Sequence, residues 1–71
     1  MLIGGEIMNT SDILKELRGN KSQAEIASSV GVTKSAWAMY ERGERVPRDE
    51  VKIKIAKHFG RSVQEIFYPA V

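Results

Sequence analysis

A group of cationic, small and flexible side chains recurs between residues 34 and 42 at the spacing of one helix face. On a wheel of about 100° per residue, this face holds Lys34, Ser35, Ala38, Met39 and Arg42. It contains no acid, which is unusual for a face that only meets solvent. Cations can meet guanine edges or phosphates in the major groove of DNA, and apolar groups can meet thymine methyls. The pattern therefore predicts contact with duplex DNA.

The opposite face of the same segment carries two large aromatic side chains, Trp37 and Tyr40. We expect both rings to pack inward against Ile26, Val30 and the fourth helix, with their polar tips at the edge of the core. Stacking of Trp37 on an unpaired base is the alternative. Proteins that bind single strands usually present such rings on strands and in grooves, so the pattern favours core packing.

Caps and glycines divide the chain into five short helices and no strand. Two S-x-x-E capping boxes begin at Ser22 and Ser62, Thr33 is the predicted N-cap of the third helix, and Pro47 is expected in the first turn of the fourth. Glycines are placed to end the second, third and fourth helices. The predicted helices span residues 11–18, 22 to 28 or 29, 33 to 41 or 42, 48–59 and 62–67.

Length and composition allow one small domain. The chain has 71 residues, 42% of them hydrophobic, and a net charge of +2. A domain this small is marginally stable, so its packing must be economical or shared with a second copy. The absence of cysteine excludes disulfides and thiolate metal sites, and no signal peptide or membrane-length apolar run is present. We expect a soluble, cytoplasmic protein without cofactor or metal.

Positive charge is concentrated in the second half of the chain. Residues 34–61 contain eight Lys or Arg against four acids, whereas the remainder contains three against five. A basic face on a small domain is a weak indication of a polyanionic partner.

Several positions together resemble the helix-turn-helix of the phage repressor and Cro family. The resemblance runs from about Ile13 to Phe67 and includes "RVP" at 45–47, "KIAKHFG" from Lys54 and "SVQEIF" from Ser62. Its core is the spacing of Gln23, Ala27, Gly31, Val32, Trp37, Glu41 and Gly43. The resemblance implies a compact all-α, five-helix, repressor-like domain whose second motif helix enters the major groove. It also implies a transcriptional regulator that acts as a homodimer on a palindromic operator, without catalysis.

The resemblance also implies roles for individual residues. Base edges would face Lys34, Ser35, Ala38 and Met39, and the DNA backbone would touch Gln23, Thr33, Arg42 and Arg45. Purely structural roles are the alternatives. Gln23 and Thr33 could serve only as helix caps, Met39 could be only an exposed methionine, and Arg45 could be only a solvated charge in a loop. Glu41 is expected to pair with a nearby basic side chain of the protein and not to contact DNA.

Two features depart from the family pattern. The connection "RGNKSQ" is short, and Asp49 and Lys52 stand where the fourth helix is often apolar. Val51, Ile55 and Phe59 still form a core stripe. A basic edge of Arg48 and Lys52 is expected to replace some backbone contacts.

The ends of the chain give two further hypotheses. Residues 1–10 are a leader or flexible arm, 11–68 the DNA-binding domain and 69–71 a tail. Gly4-Gly5-Glu6 can be encoded as the ribosome-binding sequence GGAGGUGA, which would make Met8 the native start; packing of Leu2, Ile3 and Ile7 as an arm is the alternative. The homodimer is expected to form through the last helix and tail, with Ile66, Phe67, Tyr68 and Val71 as its apolar contacts.

Other functional classes fit less well. A protein-interaction module, such as an antitoxin-like or antirepressor-like partner, would use the helix-turn-helix face or the apolar tail. An enzyme is disfavoured because His58, the single histidine, has no cysteine or carboxylate pair to complete a site. The amphipathic segment "VKIKIAKHF" is explained by core packing more simply than by membrane binding.

Overall fold

Five helices and the turns between them form the part of the protein that the structure describes. The structure is a computed structural model that describes residues 9–69. It contains α1 (Thr10–Arg18), α2 (Gln23–Val30), α3 (Lys34–Arg42), α4 (Asp49–Phe59) and α5 (Val63–Phe67). Residues 9–69 contain no strand, so the predicted all-α architecture of five helices is confirmed. In this part of the chain, no helix has both the length and the apolar character that crossing a membrane requires.

The hypotheses about the chain ends lie largely outside this description. The leader or arm as far as Met8, and Val71 of the predicted dimer contact, are not among the described residues. Residues 9 and 10 belong to the start of α1, where the Asn9 side chain accepts a hydrogen bond from the amide of Asp12 at 3.0 Å. This cap begins α1 one residue before the predicted position.

Side-chain caps also begin α2, α3 and α5, as the sequence predicts. Both S-x-x-E pairs form reciprocal capping boxes, and Thr33 Oγ1 accepts from the amide of Ala36 at 3.0 Å. The fourth helix differs. Arg48 has an extended backbone, with ψ 161°, and makes no side-chain cap, so α4 begins at Asp49. Pro47 therefore precedes the helix, and the prediction that it occupies the first turn is wrong.

A single core forms where the helices meet. Trp37 is fully buried there, and its ring centroid lies 6.3 Å from that of Tyr40 and 6.5 Å from that of Phe59 on α4. The predicted inward packing of both aromatic side chains is confirmed. The predicted position of the Trp37 polar tip is wrong, because its Nε1 is buried and donates to Glu41. The buried apolar side chains are Leu14, Ile26, Ala27, Val30, Trp37, Tyr40, Val51, Ile55, Ala56 and Ile66.

The turn between α2 and α3 sets the angle of the motif. Gly31 adopts a left-handed backbone conformation with φ +78°, which residues other than glycine adopt only at a cost in free energy. The amide of Val32 then donates to the carbonyl of Ala27 at 2.9 Å. This bond closes α2. Thr33, the N-cap of α3, follows only two residues after the glycine.

Two predicted surface features belong instead to the interior. Ile66 is 1% exposed and packs in the core, so it cannot contact a second copy as predicted. Lys52 is 9% exposed, and its Nζ donates to the hydroxyl of Tyr68 at 2.9 Å. The end of α5 brings Phe67 and Tyr68 over this lysine. The predicted basic edge of Arg48 and Lys52 is therefore wrong.

We predict that Gly31→Ala destabilises the fold through backbone strain alone. A Cβ at Gly31 would meet only Lys54 Nζ, at 3.7 Å, which is an ordinary contact. Gly60 is a matched control, because its φ is +66° and a Cβ there meets nothing within 4 Å. Each substitution should lower the free energy of unfolding by about 1 kcal/mol in urea denaturation. A loss several times larger at Gly31 alone would contradict a purely conformational role.

Candidate nucleic-acid interface

The outer face of α3 and the start of α2 form one shallow groove of about 300 Å³. Among the described residues, those that line it include no acid. Six of the eight predicted DNA contacts lie here, including all four predicted to read bases. The lining residues are Gln23, Lys34, Ser35, Ala38, Met39 and Arg42.

The other two predicted contacts lie in a neighbouring depression of about 410 Å³. Thr33 and Arg45 both line it, together with Arg48. Arg48 was predicted to contact the DNA backbone together with Lys52, but only Arg48 lies here, because Lys52 points toward Tyr68. The Arg48 guanidinium lies 3.5 Å from Glu50, and both side chains are largely exposed. Such a pair is weak, so Arg48 is free to meet an anion.

The two ends of the α3 face differ in their partners. Lys34 and Ser35 are exposed at its start, whereas Ala38 and Met39 are partly buried near its middle. At its end, Arg42 Nε lies 3.0 Å from Glu44 Oε2. Hydrogen bonding to Glu44 raises the pKa of Arg42. Since both side chains are more than half exposed, a phosphate can replace Glu44 at little cost.

Beneath this surface, Glu41 holds the motif together. Glu41 is 3% exposed. Arg18 donates to it twice, from Nε at 2.6 Å and from Nη2 at 3.1 Å. Gln23 Nε2 donates to Oε1 at 3.0 Å, and Trp37 Nε1 donates to Oε2. Glu41 therefore links α1, α2 and α3. The prediction that it pairs with a nearby basic side chain is confirmed.

Gln23 and Thr33 have structural partners that leave donors for DNA. Ser22 is the N-cap of α2, so the capping alternative for Gln23 is wrong. One amide hydrogen of Gln23 Nε2 is directed to Glu41, and the second remains to donate. Thr33 does cap α3 with its lone pair, but its hydroxyl hydrogen is not used in that bond. Both side chains are thus fixed in position and still able to bind a phosphate.

Hydrogen bonding determines the charge state of the Glu41 pair. Burial raises the pKa of the Glu41 carboxyl, but hydrogen bonds from Arg18, Gln23 and Trp37, with the charge of Arg18, outweigh burial and set the pKa below its ordinary value. The hydrogen bond to Glu41 raises the pKa of Arg18 in turn. Both groups are therefore ionised at neutral pH.

Arg18 is the structural residue that sequence reasoning missed. It stands in the last turn of α1, where a base is ordinary. Its partner lies 23 positions later, so no helical spacing relates the two. The only available signal was Glu41, an acidic residue close to the inner face that carries Trp37 and Tyr40. It indicated a basic partner without identifying it.

Sequence comparisons connect this geometry to known proteins. A profile of the helix-turn-helix family matches residues 14–66. The cryptic phage CTXphi transcriptional repressor RstR of Vibrio cholerae is 33% identical over 58 residues, which are 79% of this chain and 52% of that protein. The uncharacterized HTH-type transcriptional regulator YgzD of Bacillus subtilis is 35% identical over 57 residues, 78% of this chain and 86% of that protein. The chain thus spans about half the length of RstR.

A solved structure has the same fold. The P22 c2 repressor, crystallised in complex with a synthetic operator, superposes with a TM-score of 0.83. The match covers 89% of this chain and 98% of that chain, at 22% sequence identity. At this identity the likeness concerns the fold, and it extends over nearly all of both chains.

We predict that Glu41→Gln removes a pH-dependent part of the stability. The folded-state pKa of Glu41 is below the ordinary 4.5, so the ionised pair stabilises the fold above that pH and its contribution is lost as pH falls through the folded pKa. At pH 7 the substitution should cost about 2 kcal/mol. The difference from the unsubstituted protein should shrink below about pH 4.5, as measured by urea denaturation at several pH values.

Glu16→Gln is the matched control, because Glu16 is an exposed carboxylate on α1. It should change stability little at any pH. Equal and pH-independent losses for the two variants would show that the Glu41 cluster does not stabilise the motif through its charge.

Proposed function

The chain belongs to the helix-turn-helix family of the phage repressor and Cro type, and from this premise we propose that it is a sequence-specific, double-stranded DNA-binding transcriptional regulator of the repressor kind. The proposed activity is binding in the cytoplasm, without catalysis or cofactor. One observation carries the proposal: the acid-free groove on α3 contains all four side chains predicted to read bases. Cations and small apolar groups on one exposed helix face match the donor, acceptor and methyl pattern of the major groove.

In the proposed complex, α3 lies in the major groove and its two flanks hold the backbone. Lys34 and Ser35, at the start of α3, approach base edges first, and Ala38 and Met39 contact bases or thymine methyls further along. Gln23 and Arg42 lie in the same groove, where they donate to phosphates. Thr33 and Arg45, in the neighbouring depression, extend these phosphate contacts on the other side.

The relatives support this function by what their names state. RstR is named a phage transcriptional repressor, and the P22 c2 repressor was crystallised with operator DNA. YgzD, which is named a transcriptional regulator, is matched over most of its length.

The proposed regulator is a homodimer that binds a palindromic operator. Phe67 is partly buried and Tyr68 is 52% exposed at the end of α5, and together they supply an apolar contact for a second copy. Two-fold pairing should place the two α3 helices about 34 Å apart, one turn of DNA.

Lys34→Ala and Arg45→Ala are predicted to separate base reading from backbone binding. Lys34 can donate to guanine O6 and N7, so its loss should cost roughly 1–3 kcal/mol on the preferred operator and less on random DNA. Arg45 lies in the loop after α3, and its loss should weaken both kinds of binding about equally. It should also flatten the log-log salt dependence by about one unit per site.

The preferred operator would first be selected from random duplexes. Affinities of each variant for this operator and for a scrambled duplex would then be measured at several salt concentrations. A changed base preference for Arg45→Ala, but not for Lys34→Ala, would reverse the assignment of the two residues. If neither variant loses affinity, the chain does not bind DNA through this surface.

The dimer contact is predicted to depend on Tyr68. Tyr68→Ser should weaken dimerisation at least about tenfold, because aromatic side chains contribute much of the binding energy at interfaces. Operator binding should weaken with it. Ile53 on α4 is the matched control, since it is 53% exposed against 52% for Tyr68, and Ile53→Ser should change neither property. Dimerisation would be measured by sedimentation equilibrium. Dissociation of the dimer by Ile53→Ser alone would contradict the proposal.

A further inference from the structure

A second concave surface lies beside the DNA-binding groove and has a different composition. This cleft, of about 510 Å³, is bounded by the start of α1, the loop between α3 and α4, and the end of α5. Leu14, Val46, Pro47 and Phe67 supply apolar walls. Among the described residues, those lining the cleft include two cations, Lys52 and Arg45, and no acid. The volume is within the range of sites for small molecules, about 300–1,000 Å³.

The ammonium group of Lys52 is the unusual feature of this cleft. Lys52 is 9% exposed, and its Nζ donates to the Tyr68 hydroxyl at 2.9 Å. The same nitrogen lies 4.9 Å from the centroid of the Tyr68 ring and 5.7 Å from that of Phe67. An ammonium has three hydrogens to donate, and the hydroxyl accepts one of them.

A carboxylate partner would complete this site. The ion pairs among residues 9–69 are Arg18–Glu41, Arg42–Glu44 and Arg48–Glu50, so none of them neutralises Lys52. A buried charge is costly unless it is paired and hydrogen-bonded. The aromatic rings offset part of that cost, and an anion that enters the cleft would offset more. The remaining Lys52 donors therefore select for a negatively charged oxygen.

We propose that this cleft binds a small molecule that carries a carboxylate on an apolar body. The carboxylate accepts hydrogen bonds from Lys52, and Arg45 provides a second positive charge in the lining. The apolar body lies against Val46, Pro47 and Phe67. Binding sites for small molecules commonly have this form, with apolar walls and a few polar groups that fix the orientation of the ligand.

Occupation of the cleft should oppose DNA binding, a step that rests on the proposed function. Arg45 lines both the cleft and the depression that contains Thr33, so a bound carboxylate competes with a phosphate for the same guanidinium. Phe67 and Tyr68, the proposed dimer contact, also line the cleft. Ligand and operator would then each weaken the binding of the other by the same factor. Such a ligand would release the regulator from DNA.

The binding site is tested first without DNA. The full chain, labelled with ¹⁵N, would be titrated with 4-phenylbutyrate and, separately, with the neutral 4-phenylbutanamide, and amide shifts would be followed by NMR. We expect the carboxylate to bind with a dissociation constant on the order of 1 mM and to shift amides of residues 43–46 and 67–68. The amide should bind at least about tenfold more weakly. Equal binding of the two probes, or shifts confined to other surfaces, would overturn the proposal.

Variants then identify the cation. Lys52→Met should weaken 4-phenylbutyrate binding at least about tenfold, whereas Lys54→Met, which removes an exposed lysine outside the cleft on the same helix, should leave it unchanged. Val46 is 73% exposed at the cleft, so Val46→Asp and Val46→Asn form a second pair that does not disturb the core. Both variants lose the apolar contact of Val46 with the ligand, and the aspartate variant should bind more weakly than the asparagine variant, because it adds a negative charge. Unchanged binding in Lys52→Met, or equal effects of the two Val46 variants, would contradict the role of charge.

The coupling is measured separately, so that its failure is distinguishable from failure of the DNA-binding proposal. Retention of the selected operator would be recorded with each probe at a concentration that saturates the cleft. The carboxylate should reduce operator affinity several-fold, and the amide at the same concentration should not. Retention that is present without the probe and unaffected by it would leave DNA binding intact and overturn the regulatory step. Absence of retention without any probe would overturn the proposed function, while the NMR titration would still decide the cleft.

Discussion

The carboxylate of Glu41 receives hydrogen bonds from side chains of three helices, and the position of α3 depends on this contact. Arg18 reaches it from α1, Gln23 from α2 and Trp37 from α3 itself. An ionised group this deeply buried is stable only while those donors surround it. The three helices are therefore held in one relative arrangement, which apolar packing alone would define less sharply.

This contact also determines which side of α3 faces outward. Trp37 and Glu41 are four residues apart, so they lie on one face of the helix. With both turned inward, the groove residues Ser35 and Met39 lie on the opposite side of the helix and face outward. Gln23 connects the two sides, because it donates to Glu41 and also lines the groove. The internal network and the candidate DNA surface therefore depend on the same helix register.

Local features could be predicted from the sequence, and contacts between distant elements could not. The capping boxes at Ser22 and Ser62 and the outer face of α3 depend on neighbours within a turn or two, where spacing carries the information. The partners of Glu41 and Lys52 are brought together by packing across the fold. Arg18 is 23 positions from Glu41, and Tyr68 is 16 from Lys52. For the same reason, Ile66 was expected at a surface: its apolar character indicated burial, but not whether α1 or a second copy would cover it.

The two buried charges of the described domain are treated differently, and the difference has a functional meaning. Glu41 is neutralised within the chain by Arg18 and also accepts hydrogen bonds from Gln23 and Trp37. Lys52 has a hydroxyl and two aromatic rings around it, which stabilise a cation without neutralising it. An apolar side chain at this position would pack without that cost. A cation retained beside an open, acid-free cleft is therefore better explained by a recognition role than by stability, and Arg45 places that recognition within reach of the surface proposed to bind DNA.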